Sequence, residues 1–78
     1  MPNTTYGQLQ FDVQIHFGSK IDKVSQLKLL QQNIEFNTGK LLSFNTLRRF
    51  FGFLDYTKPN LNTLNTLSEY LGYYNYSV

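Results

Sequence analysis

From Lys23 to Asn37 the apolar positions fall on one side of a helix. Leu27, Leu30 and Ile34 recur at helical spacing, while Lys28, Gln31, Gln32 and Glu35 form the polar side. The pattern predicts a helix over about 23–37, stopped by the glycine of "NTGK". A shorter helix follows over 44–52. Ser43 can cap it by accepting a bond from the amide of Asn45 or Thr46. Leu47, Phe50 and Phe51 then stand at i, i+3 and i+4 facing the core, and Gly52 ends the run. Such a helix is too short to be stable alone. The stretch "FLDYTKPN" reads as a turn, and Asn60 can cap a further helix over 61–71 with the stripe Leu61, Leu64, Leu67 and Leu71.

The first segment, "QLQFDVQIHF", is ambiguous. Leu9, Phe11, Val13, Ile15 and Phe17 alternate strictly with polar residues, the signature of a half-buried strand. The same residues also meet helical spacing, Leu9, Val13 and Phe17 on one row and Phe11 with Ile15 on another. Periodicity alone leans to a strand, yet a strand needs a partner, and the other β-prone run is the C-terminal "YYNYSV". The glycines speak for helices: Gly18, Gly39, Gly52 and Gly72 each close an apolar-rich segment, as helix stops do.

Seventy-eight residues make one small domain. Apolar residues are 41% and aromatics 17% of the chain, enough to offset the ordering entropy and so to predict a folded unit. The chain has no cysteine, which excludes disulfides and thiolate metal sites. The N-terminal "MPNTTYGQLQ" is polar, and no apolar run approaches the ~20 residues of a membrane span. These features predict a cytoplasmic domain, or a domain of something larger, without a membrane partner.

Net charge is +2, and its distribution is more informative than its size. Lys40, Arg48, Arg49 and Lys58 are opposed in their stretch by Asp55 alone, whereas the rest of the chain is nearly balanced. Catalytic chemistry is sparse. The single histidine, His16, has no second histidine to form a metal pair and reads as a surface or half-buried residue. Ser43 lacks a base and reads as a cap, the acidic residues are scattered, and no glycine-rich phosphate loop is present. The expectation is a binding protein without enzymatic activity, metal or small-molecule cofactor.

With Leu47, Phe50 and Phe51 turned inward, Phe44, Asn45, Arg48 and Arg49 lie on or beside the outer face of the third helix. Asn and Arg can make paired hydrogen bonds to base edges, and arginine also contacts phosphates. A short helix preceded by another, with such side chains near its start, is how a helix-turn-helix presents its reading surface. A plainer reading leaves the arginines on a solvated face, or pairs them with Glu35, Asp55 or Glu69, and makes Asn45 and Thr46 ordinary first-turn residues. Tyr70, Tyr73, Tyr74 and Tyr76 could stack on bases, but more often such rings cover a small core with the hydroxyl kept wet.

The segments "LSFNTLRRFFGF" and "PNLNTLNTLSEYLGY" together resemble a group of small helix-turn-helix-like modules at the N-terminus of multidomain bacterial proteins. Ser43, Thr46, Leu47, Arg49 and Gly52 fit the first part of that pattern; Thr63, Leu64, Leu67, Tyr70, Gly72 and Tyr73 fit the second. The resemblance covers nearly the whole chain. In that group the initial helix often ends in Phe-Gly, as Phe17 and Gly18 do here, which implies a helix over about 5–17. More distantly, the layout is similar to lambda-repressor-like DNA-binding domains.

The resemblance implies an all-α bundle of four to five short helices with Phe44–Phe51 as recognition helix. Ser43 would be the phosphate-contacting cap, Phe44 and Asn45 the leading base-facing positions, Arg49 one turn further on, and Arg48 at the flank of the groove. Thr46, Lys40 and Lys58 complete the expected DNA-binding set. The connection from Gly39 to Ser43 is longer than the tight turn of the lambda-repressor class, and Phe44 stands where a polar reader is usual. The group's closing aromatic pair would begin at Tyr76 and run past Val78, which implies that residues 1–78 form an N-terminal module of a longer protein. The expected partner is duplex DNA in transcription regulation, with a homodimer or other domains of the same protein as further partners. The alternative is a protein-interaction module of helix-turn-helix shape.

Overall fold

Leu27, Leu30 and Ile34 have no exposure to solvent, and the architecture is arranged around the helix that carries them. The computed structural model describes residues 6–55 and 58–73. It contains α1 (Tyr6–Phe17), α2 (Val24–Thr38), α3 (Phe44–Phe50) and α4 (Leu61–Tyr70), and no strand among the described residues. The protein is thus an all-α bundle. Helix α2 is the centre: α3 and α4 both pack on it, and α1 packs on α4. Leu9 and Val13 of α1, Leu47 and Phe50 of α3, and Leu64, Leu67 and Tyr70 of α4 close the core, helped by Ile21 and Leu42 from the connections.

The strand suggested by alternation in residues 8–17 is overturned: this segment is helical. Leu9 and Val13 reach the core and Phe17 is half-buried, whereas Phe11 and Ile15 are 56% and 63% exposed. Two apolar side chains facing water produced the strand-like pattern. With no partner strand among the described residues, intrahelical bonding is what satisfies this backbone.

The other elements lie within two residues of their expected ends. All four glycine stops take positive φ, from 73° at Gly39 to 95° at Gly72. At Gly39 the left-handed turn lets its amide donate to the carbonyl of Glu35. Helix α3 is capped by Ser43 and α4 by Asn60, whose side-chain oxygens accept from the amides of Thr46 and Thr63.

Helix α4 departs from its leucine stripe. Leu64 and Leu67 are buried and Leu71 half-buried, but Leu61 is 61% exposed. Thr63, Thr66 and Ser68 are buried instead. Small polar side chains allow close helix approach, and Thr66 satisfies its hydroxyl by donating to the carbonyl of Asn62 at 2.9 Å. Tyr70 is core, but Tyr73 is 63% exposed, against the core reading of the tyrosine tail. Tyr74 and Tyr76 lie outside the described residues, as does residue 5 of the first expected helix. No described helix is long and apolar enough to cross a membrane.

Tyr70 ties three helices together. Its ring meets His16 of α1 edge-on at 4.7 Å, and its hydroxyl donates to Asn33 Oδ1 of α2 at 2.7 Å. Burial pushes the phenol above its ordinary value of about 10. The native state therefore holds this proton more tightly than the unfolded chain. The associated stability is complete below pH ~10 and is lost as pH rises from there through the native value. Tyr70→Phe is expected to cost about 1 kcal/mol at neutral pH and to flatten the alkaline limb of a stability–pH curve, as measured by urea melts. Gly39→Ala meets no atom within 4 Å of the added methyl, so its expected loss of about 1–2 kcal/mol comes from the backbone alone. Thermal unfolding followed by circular dichroism measures it.

Candidate nucleic-acid interface

The α2–α3 pair has the order of a helix-turn-helix, joined by Gly39–Ser43. Two contacts hold this longer connection. Leu42 is buried, and its carbonyl accepts from Gln31 Nε2 at 2.7 Å. Thr38 Oγ1 accepts from the amide of Lys40 at 3.1 Å. Leu47 and Phe50 then anchor α3 in the core, which turns Asn45 and Arg49, one turn apart, into solvent.

The expected site residues separate into three groups. The first is Ser43 with Thr46: the cap bond from the Thr46 amide is 3.1 Å, and the two hydroxyls are 2.7 Å apart. Both hydroxyls are thereby engaged at the helix start.

The second group gathers around Phe44. This ring is half-buried and packs against the core edge, so it is neither a free reader nor a core residue. Two cations lie over it, Arg48 at 5.5 Å and Lys28 at 5.6 Å from the ring centre. Each is attracted by the ring quadrupole, while the two repel each other. Arg48 also donates from Nη1 to Asn45 Oδ1 at 3.1 Å, and its Nε is buried without a partner among the described residues. Arg48 therefore clamps the leading face of α3 and orients the Asn45 amide.

The third group is Arg49 with Lys58. They line one shallow depression of about 120 Å³, together with Thr46, Phe50, Pro59, Asn60 and Thr63. Neither has an ion pair among the described residues. Lys40 stands apart from all three groups, because its ammonium is 2.7 Å from Glu69 Oε2 on α4. The carboxylate pairing of the plainer reading is not found among the described residues, where Glu69 takes Lys40 instead; Arg49 is exposed, as the solvated-face form of that reading has it.

Sequence reasoning missed Lys28, which belongs to α2 and was assigned to its polar face. Its spacing from Phe44 carries no local signal, since the two meet only across the helix pair. No group of three or more His, Cys, Asp or Glu side chains among the described residues is placed to hold a metal. The chain matches no family model, no curated protein and no solved structure.

Proposed function

We propose that this domain binds duplex DNA through α3, in the cytoplasm and without catalytic chemistry of its own. One observation carries the reading: Arg48, Arg49 and Lys58 lie on or beside α3, and none has an ion pair among the described residues. Like charges held together without counter-charge favour an extended anion, and a phosphate backbone supplies regularly spaced ones. Within that reading, Arg49 and Lys58 contact phosphates. Asn45, oriented by Arg48, is the side chain suited to a base edge, with adenine as the matching base. Phe44 holds the cations in place and offers its exposed edge to a thymine methyl. A targeting role within a longer bacterial protein follows from the resemblance of the sequence and rests on it alone.

The second reading, a protein-interaction module, is favoured by the large apolar side chains left in solvent, above all Phe36 at 89% exposure. In it the arginines form the polar rim of a docking face made by the phenylalanines and tyrosines.

Fluorescence anisotropy with mixed-sequence duplex DNA separates the two. Non-specific binding is expected with Kd on the order of 10⁻⁴ to 10⁻⁶ M at physiological salt, and log K should fall with log salt at a slope of about −2 for the two phosphate contacts. Arg49→Ala and Lys58→Ala should each reduce that slope by about 1. Lys40→Ala should change it less, because Glu69 already neutralises Lys40. Absence of binding even at low salt would discard the DNA reading in favour of the interaction module.

A further inference from the structure

We infer that α2 carries a second interface, a self-complementary ridge through which two copies of this chain pair antiparallel about a two-fold axis. With about 100° between successive residues of a helix, Leu29 and Phe36 lie opposite the buried Leu27, Leu30 and Ile34. They are 58% and 89% exposed, and they border one surface groove with Phe17, Gln32 and Asn33. Phenylalanine so fully in water within a regular helix has no role in the monomer core.

The residues around the ridge specify the occupant. Leu29 and Phe36 are seven residues apart, with Gln32 between them, the spacing of a helix–helix seam. No charge lines this groove; its polar members are two amides, of which Asn33 already accepts from Tyr70 while Gln32, at the centre of the ridge, can both donate and accept and so can face its own copy. A two-fold contact sets each patch against itself, and an uncharged patch is what tolerates that. Beside the ridge, one residue before each apolar member, stand Lys28 and Glu35, both exposed and of opposite charge.

In an antiparallel pair centred on Gln32, Leu29 meets the other copy's Phe36 and Lys28 meets the other copy's Glu35, twice by symmetry. In a parallel pair the flank of Lys28 and Glu35 would face the flank of Gln26 and Asn33, which carries no charge. The charges thus choose the antiparallel arrangement.

The arrangement bears on the DNA reading, although it does not depend on it. Lys28 lies over the Phe44 ring, so the start of α3 sits on the Lys28–Glu35 flank of α2. The antiparallel two-fold keeps that flank of both copies on one side of the dimer. Both α3 helices then face the same way, the condition for reading two half-sites on one duplex. A single helix pair buries less than the ~1,200 Å² of a standard interface, so association is weak and concentration-dependent.

Sedimentation equilibrium without DNA, from tens of micromolar to millimolar protein, tests the inference. The wild type is expected to show a monomer–dimer equilibrium. Phe36→Ser should weaken it at least about tenfold without loss of helicity, since that side chain is outside the core. Lys28→Glu and Glu35→Lys should each weaken self-association several-fold by setting like charges together. The double reversal, or an equimolar mixture of the two single variants, should restore it.

A wild type that stays monomeric at millimolar concentration, or a dimer indifferent to Phe36→Ser, would overturn the interface. Charge reversals that add instead of compensating would overturn the antiparallel pairing. Phe36→Ser should retain salt-dependent non-specific DNA binding, so failure of the dimer and failure of the DNA reading are distinguishable.

Discussion

The buried row Leu27, Leu30 and Ile34 is the constraint from which the other elements take their positions. Because α3 and α4 both pack on α2, removing this row would separate both from it, not merely leave a cavity. The seven-residue α3 is the most dependent. Its few internal hydrogen bonds cannot offset the entropy of nucleation, so Leu47 and Phe50 against the common core must hold it. The orientation of Asn45 and Arg49 is therefore a consequence of packing two residues away on the opposite face.

Apolar contact alone would leave the connections undefined, and glutamine side chains supply much of that definition. Gln10 donates to the carbonyl of Phe50 and so fixes the end of α3 against α1. Gln14 accepts from the amide of Ile21, and Gln26 from the amides of Asp22 and Lys23, which together hold the turn between α1 and α2. Gln31 holds the carbonyl of Leu42 ahead of α3. A long neutral amide reaches across a gap and satisfies a backbone group without the desolvation penalty of a charge. In a chain with little charge, these contacts give an uncharged way to set the angle between elements.

The helices α2, α3 and α4 were legible because local rules agree there: helical apolar spacing within each run, Ser43 before α3 and Asn60 before α4, and a glycine within two residues of each C-terminal end. In residues 8–17 it was the Phe17–Gly18 ending that indicated a helix, while periodicity misled, since Phe11 and Ile15 are exposed and a pattern that assumes apolar means inside cannot show it. The same assumption placed Leu61 and Tyr73 inward. At the candidate interface, the cap at Ser43 and the inward face of Leu47 and Phe50 could be read locally. The separation of Lys40 from the other cations could not, because Glu69 lies 29 residues away and reaches it only after α4 has docked on α2.

The adjacent arginines illustrate how a short helix divides labour between neighbours. A step of about 100° puts Arg48 beside Phe44 and Asn45, on the row that leans against α2, and puts Arg49 toward the turn before α4. Arg48 consequently acts within the domain: it covers a half-buried ring and aligns an amide, and its delocalised, planar head suits both contacts at once. Arg49 remains available to an external anion, with Lys58 alongside. A lysine at 48 would keep the charge but lose the geometry, whereas a lysine at 49 would keep most of what a phosphate requires. Neighbouring residues of one type therefore differ in replaceability, and the difference originates in the row that each occupies on α3.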